Sequence, residues 1–395
     1  MIPRRRAHTY EGEWQDLQRC FKGQMPEETL VSAWEQAVAD YVGAPQAAAI
    51  SSGRRGMSLI FEHLGLAAGN EVIVPAYTLK DLLPLIQHFG AQAIPADIDP
   101  DSLAMSPYAV GRRITPRTKA ILALHPFGAP CAIDAILDVA NRHGVPVIED
   151  CAHSLGATFQ GKQTGTFGYA GFFSFEPTKP VNTYGGGMVV SADRRLIERI
   201  RRENGAGASD VSILRKKAQT VRTEQTLFRT GLAFPFLFMV ATPSLKALVE
   251  RAYRGAQQVP SGSARYLPIQ AQLGLRKLVD LDARVARRRQ RAALLSSLLK
   301  DAIRPQRILP GTQSTYYFYV VKLPVTAASI RRRMLLHGID AALEGEIADD
   351  CGSLLEDPDC PVIRELFPRL LALPMYDTIT EAEIHRVAKR LNALV

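Results

Sequence analysis

Lys179 stands between two prolines and just ahead of three glycines, in the stretch GFFSFEPTKPVNTYGGG at residues 171–187. Pro177 and Pro180 break helical phasing, so this lysine belongs to a constrained turn. Ser174, five residues earlier, closes an apolar run. Upstream, IEDCAHSLGA puts Asp150 and His153 at the end of another apolar run, and SSGRRG (51–56) joins a short apolar stretch to a helical pattern. Free backbone amides at such a helix start can hold a phosphate. A fixed lysine, a carboxylate and a phosphate cradle together meet the needs of pyridoxal 5'-phosphate. That cofactor requires an amine for its aldehyde, an acid for its ring nitrogen and an anion site for its phosphate. The acid keeps the ring protonated and able to accept electrons, and the lysine later moves protons.

The elements that must position these groups follow from the hydrophobic pattern. Seven short apolar runs, at 46–53, 71–78, 91–98, 119–126, 145–152, 171–175 and 186–192, read as strands. Helical patterns separate several of them, as in RGMSLIFEHLGL (55–66) and CAIDAILDVANRHG (131–144). This alternation predicts an α/β fold with a mainly parallel, seven-stranded sheet, and it puts functional groups at the carboxyl ends of the strands. After Asn204 the alternation stops until about residue 264. Residues 269–302 then read as one long amphipathic helix, 315–324 as a strand and 328–339 as a helix. Thr380 and Glu383 have capping-box spacing at the start of a last helix. Two domains are expected: a large cofactor-binding one at 1–265, with an apolar and basic insert near 205–262, and a smaller α+β one at 266–395.

The 395 residues are 47% apolar and 22% charged, as in soluble globular proteins. Five scattered cysteines without CxxC spacing argue against a disulfide framework or a zinc site and suit a reducing cytoplasm. The start, MIPRRRAHTYEGEW, has no apolar core of a secretory signal. The net charge of +9 is carried partly by Arg4–Arg6, Arg287–Arg289 and Arg331–Arg333. Solvated helix faces explain it most simply; an anionic substrate or membrane surface explains it more sharply. No nucleic-acid-binding motif accompanies the charge.

Taken in order, SSGRRGMSLI, GNEVIVPAYT, VIEDCAHSLGATFQGKQTGTFG, GFFSFEPTKPVNTYGGGMVV and RYLPIQAQLGL resemble the nucleotide-sugar aminotransferases of the DegT/StrS type. Those are fold-type-I enzymes dependent on pyridoxal phosphate, and the resemblance runs from about residue 27 to the end, interrupted at 205–262. It implies that Lys179 binds the cofactor covalently and that Asp150 pairs with its ring nitrogen. His153 then stands beside the ring, and Ser174 with the turn Gly53, Arg54 and Arg55 holds the phosphate. Tyr77 is placed near the ring and Ser263 at the partner subunit's phosphate, since a homodimer with shared sites is implied. His125 matches a family position of either structural or catalytic use. Four positions depart from the family pattern: Arg54 for threonine, Leu79 for an aromatic residue, Gly185 for the glutamate of GEGG, and Ser263 for asparagine.

The implied reaction is transamination from an amino acid, expected to be glutamate, to a keto sugar, expected to be nucleotide-linked. One rival is a sugar dehydratase on the same scaffold, whose members lose the lysine that Lys179 retains. Another is a non-catalytic member of the fold. The insert carries LAFPFLFMV (232–240), much shorter than the roughly 20 residues that span a bilayer. It reads as packing against this chain or its dimer mate, or, with the basic residues around it, as a peripheral membrane foot over 227–255.

Overall fold

The computed structural model describes residues 1–230 and 264–395. Ser263 and the apolar run at 232–240 lie outside the described residues. All seven expected strands are present: β1 (Ala47–Ile50), β2 (Glu71–Pro75), β3 (Gln92–Ala96), β4 (Thr118–Leu124), β5 (Val147–Asp150), β6 (Ala170–Ser174) and β7 (Gly187–Ser191). They form one sheet in the order β1-β7-β6-β5-β4-β2-β3. Strand β7 runs antiparallel to both β1 and β6, and every other pairing is parallel. The carboxyl ends of β1, β4, β5 and β6 and the amino end of β7 therefore share one edge. In register, Ile50 faces Gly187, Gly187 faces Ser174, and Asp150 lies beside Phe172 and Leu124.

Helices cover both faces, as buried parallel strands require. On one face, the helix Gly53–His63 contributes Met57, Ile60 and Phe61 to a core with Val72, Leu122, Ile148 and Val189. On the other, the helix Thr29–Val42 buries Trp34 against Phe175. A β-carbon at residue 274 would come within 2.8 Å of the Trp34 ring, so glycine there lets the helix Pro268–Leu278 lie close against Thr29–Val42.

The second sheet has the strands β8 (Arg304–Pro305), β9 (Tyr319–Lys322), β10 (Ala342–Leu343) and β11 (Leu370–Leu373), in the order β8-β9-β11-β10. The closing helix Glu381–Leu394 starts at Thr380, whose hydroxyl accepts from the Glu383 amide at 3.2 Å, completing the expected capping box. Ile2 bridges Ile339, so the N-terminal segment joins this second layer.

Two readings need correction, and a third stretch gains detail. The single helix expected over 269–302 is two, Pro268–Leu278 and Leu281–Leu298. The chain bends at Asp280, which leaves helical geometry and whose carboxylate takes Arg284 Nε at 2.9 Å. The strand expected over 315–324 shortens to Tyr319–Lys322, because the residues before it hydrogen-bond to the large sheet's loops instead. The stretch after Asn204 contains the helix Ser212–Thr230, with Leu214, Ala218 and Val221 buried against the N-terminal helix Glu13–Phe21. Among the described residues, no helix is long and apolar enough to cross a membrane.

Candidate active site

The shared sheet edge gathers Asp150, Ser174 and the Gly53 turn. Strand β1 runs into Ser51–Ser52, and Ser52 caps the helix Gly53–His63, its hydroxyl accepting from the Arg55 amide at 3.1 Å. The Gly53 and Arg54 amides precede that helix's own hydrogen-bond ladder, so they are donors in need of an acceptor. A β-carbon on Gly53 would lie 3.1 Å from the Phe173 carbonyl oxygen and 3.5 Å from Ser174 Cβ. The turn is thus seated directly on the end of β6. Gly187 packs as tightly from the other side: a β-carbon there would stand 2.5 Å from the Gly53 amide nitrogen. Gly185 and Gly186 have φ of 134° and 95°, backbone that glycine adopts without strain.

The arginines of the turn point elsewhere. Arg55 binds Glu62 at 2.9 Å and Glu203 at 2.5 Å, and exposed Arg54 reaches Asp81 at 3.4 Å. Their guanidinium groups are thus engaged away from the turn, which leaves its backbone amides as the donors that could meet an anion. Tyr77, expected near the cofactor ring, packs on Phe127, which in turn lies nearly parallel to the His153 ring. Its side chain is buried edge-on to Phe127 and Phe367, with the hydroxyl unpartnered among the described residues. Leu79 is 44% exposed.

Asp150 ends β5, buried, with one carboxylate oxygen accepting from the Ala152 amide at 2.9 Å. Burial raises its pKa, and the Ala152 amide, Lys179 and His125 oppose that rise. His153 is buried close by; burial first and then the Lys179 charge lower its pKa, favouring the neutral ring. Its Nδ1 has no partner among the described residues. Lys179 is half-buried, with its backbone amide on the Glu176 carbonyl at 2.9 Å and its Nζ 4.7 Å from the centre of the Tyr317 ring. A carboxylate in need of a cation, an orphaned histidine nitrogen, unladdered helix amides and an adjacent serine fit the polar edge and phosphate of pyridoxal phosphate. Asp150 and His153 would meet the ring, Lys179 the aldehyde, and Gly53, Arg54 and Ser174 the phosphate.

His125, singled out in the sequence for either structural or catalytic use, has supporting partners that the sequence did not show. His125, at the end of β4, is fully buried between the Cys131 amide, 3.2 Å from Nδ1, and Glu149 Oε2, 3.1 Å from Nε2. Glu149 also accepts from the amides of Gly165, Phe167 and Gly168 at 2.7–2.8 Å. The cluster His125, Glu149 and Cys151 therefore braces the floor under Asp150, with both ring nitrogens already engaged. At the departure Gly185, a β-carbon would stand 3.3 Å from Lys217 Nζ. That amine binds Glu176 Oε1 at 2.7 Å and Oε2 at 2.8 Å, so an acid from the lysine's own turn serves this space.

The loop after Lys179 is clamped by charges brought from far along the chain. Arg284 donates to the Pro180 carbonyl at 2.6 Å and pairs with Asp377 at 3.2 Å, and Arg288 meets Asp377 at 2.5 Å. Burial alone would raise the Asp377 carboxyl's pKa, but Arg288, His8 and Arg284 carry it far below the usual carboxylate range. Its stabilising effect is therefore complete above about pH 4 and declines as the pH falls further. In thermal melts between pH 4 and pH 2, Asp377→Asn should flatten the acid-side loss of stability, by up to about 1.4 kcal/mol per pH unit. An unchanged slope would show that Asp377 does not supply this dependence.

Comparison with known proteins follows the same lines. The sequence profile of the DegT/DnrJ/EryC1/StrS aminotransferase family matches residues 11–392. The chain is 34% identical over 343 residues to an L-glutamine:2-deoxy-scyllo-inosose aminotransferase of Streptomyces kanamyceticus, covering 86% of this chain and 69% of that one. It is 33% identical over 294 residues to the enzyme of the same description from Streptomyces fradiae, spanning 73% of this chain and 61% of the relative's length. In structure it is similar to the aminotransferase TlmJ from Streptoalloteichus hindustanus, with a TM-score of 0.80, 22% identity and coverage of 100% and 98% of the two chains.

Proposed function

Because the chain belongs to the DegT/DnrJ/EryC1/StrS aminotransferase family, we propose that it moves an amino group from glutamine to the ketone of a cyclitol or sugar. Its family's cofactor, pyridoxal 5'-phosphate, supplies an electron sink for the donor's α-carbon. Lys179 would hold that cofactor, and its amine would move the proton at the donor's α-carbon. Asp150 keeps the ring nitrogen protonated, and its burial makes a cationic partner worth more there than in water. The Gly53 and Arg54 amides and Ser174 would hold the cofactor's phosphate, and His153, favoured as a neutral imidazole, would meet the cofactor ring.

The observation that carries this reading is the convergence of Asp150, Lys179 and the Gly53 turn at one sheet edge, in a chain 34% identical to a named transaminase. The names of the Streptomyces relatives favour glutamine over glutamate as donor and a keto cyclitol as acceptor. A nucleotide-linked keto sugar is the second acceptor class, supported by the sequence resemblance and the basic character of the chain. We also expect a homodimer with shared sites.

A half-reaction screen tests this. Enzyme converted to its amino form by glutamine is offered keto cyclitols, nucleotide-linked keto sugars and simple 2-keto acids in turn. Return of the original visible band with a cyclitol or sugar ketone is expected. Return with 2-keto acids alone would defeat the proposal.

A further inference from the structure

Tyr317 enters the site from the other layer of the molecule. The segment before β9 crosses to the large sheet, with the Thr315 amide on the Gly128 carbonyl at 2.9 Å and the Phe318 amide on the Phe127 carbonyl at 3.3 Å. The Thr315 hydroxyl donates to the His153 carbonyl at 2.9 Å. This seating lays the Tyr317 ring on the His153 imidazole, with centres 4.3 Å apart and planes at 19°. The Tyr317 and Thr178 hydroxyls are hydrogen-bonded at 2.9 Å, which pins the ring beside the lysine's own turn. Lys179 Nζ lies 4.7 Å from the ring centre, within reach of the ring's negative face. The ring is buried, so that attraction is little weakened by water.

We propose that Tyr317 is a positioning residue for Lys179: its ring face holds the lysine nitrogen in place beside His153, and Thr178 fixes the ring. The phenol's own titration agrees. Burial would raise its pKa, yet the charges of Lys179 and Arg5 and hydrogen bonds from Thr178 and from Lys179 itself bring it below its ordinary value, so the nitrogen lies near the hydroxyl as well as the ring. The ring stabilises positive charge on that nitrogen, and it restricts where the amine sits when released. Removing electron density from the ring, without changing its outline, should weaken both effects together.

The inference rests on Lys179 being the cofactor-bearing lysine. That premise is secured separately by a visible band present in the wild-type holoenzyme and absent from Lys179→Ala. Tyr317→Phe and a variant carrying 3,4,5-trifluorophenylalanine at 317 are then compared as holoenzymes, with Tyr317→Leu as the ring-free limit. The pH midpoint of the visible band and the rate of the glutamine half-reaction are both read. Tyr317→Phe loses the hydroxyl's bonds to Thr178 and Lys179, and it serves as the hydroxyl-free reference for the trifluoro form. Relative to that reference, fluorination and leucine should move the midpoint to lower pH and slow the half-reaction by about 3- to 30-fold, with the glutamine KM unchanged. A midpoint and rate that stay the same between the phenylalanine and trifluoro forms overturn the proposal, whether or not Tyr317→Leu folds.

Discussion

Lys179→Ala, purified with excess cofactor, should lose its lysine-dependent visible band and fall in transamination rate by about 10⁴-fold or more. That figure is the upper end of what one positioned acid–base group contributes, and here the same amine also carries the cofactor. The variant should still fold. Lys179 is half-buried and makes no ion pair among the described residues, and the turn around it is held by others. Phosphate and ring contacts at Gly53, Ser174 and Asp150 should retain cofactor by non-covalent binding, so dialysis would remove it faster than from the wild type. The band and the rate are the measurements. A variant that retained both would place the reacting amine elsewhere.

The second large effect is on stability. Lys277, buried in the helix Pro268–Leu278, donates to Glu13 Oε1 at 2.8 Å and to the Asn182 carbonyl and side-chain oxygens at 3.0 Å each. Burial pushes its pKa down to about 8, although Glu13 works in the opposite direction. Glu13 is as deeply placed, taking the Tyr184 hydroxyl at 2.6 Å and the Tyr10 amide at 3.0 Å. Lys277→Met keeps the volume and removes the charge, leaving a buried carboxylate without its cation. The expected loss is about 3–5 kcal/mol in urea unfolding. Adding Glu13→Gln should recover part of that loss, since a neutral amide needs no cation. Two losses that merely add would mean that the residues do not act as a pair. Because folding depresses the lysine's pKa, its own contribution to stability should rise as the pH climbs from about 8 toward the unfolded value near 10.4.

This clamp matters to the site because of where it acts. Tyr184 has a φ of 60°, uncommon for a tyrosine, and its hydroxyl bond to Glu13 helps hold it there. Gln270 reaches the Gly185 carbonyl at 3.0 Å. The glycine turn that packs on Gly53 is thus fastened by Glu13, Gln270 and Lys277, which lie far from it in the chain.

That distance explains what the sequence disclosed and what it withheld. The seven strands were legible because each is a short apolar run bounded by polar or glycine punctuation. Asp150 and Ser174 were legible because they close two of those runs, and Lys179 because prolines and glycines frame it. Tyr317 was hidden inside an aromatic stretch, TYYFYVV, whose alternation reads equally well as plain strand. Its role depends on a crossing between two layers that no local pattern encodes. Lys277 looked like one more cation on an amphipathic helix, because periodicity shows a face but not whether Glu13 is waiting across it. The bend at Asp280 was missed for a related reason: neither proline nor glycine marks it, and the pairing with Arg284 follows helical spacing. Tyr77, placed near the ring only by the family resemblance, packs edge-on to Phe127 and Phe367, partners far apart in the chain that no local pattern announces.

The proposed chemistry depends on one amine, and borohydride reduction of the holoenzyme followed by peptide mass mapping tests it most directly. Reduction fixes the cofactor to whichever lysine bears it, and the added mass should appear on the peptide that contains Lys179 and on no other. Label on a different lysine, with buried Lys277 the most instructive case, or protein that takes up no label while the visible band is present, would contradict the assignment.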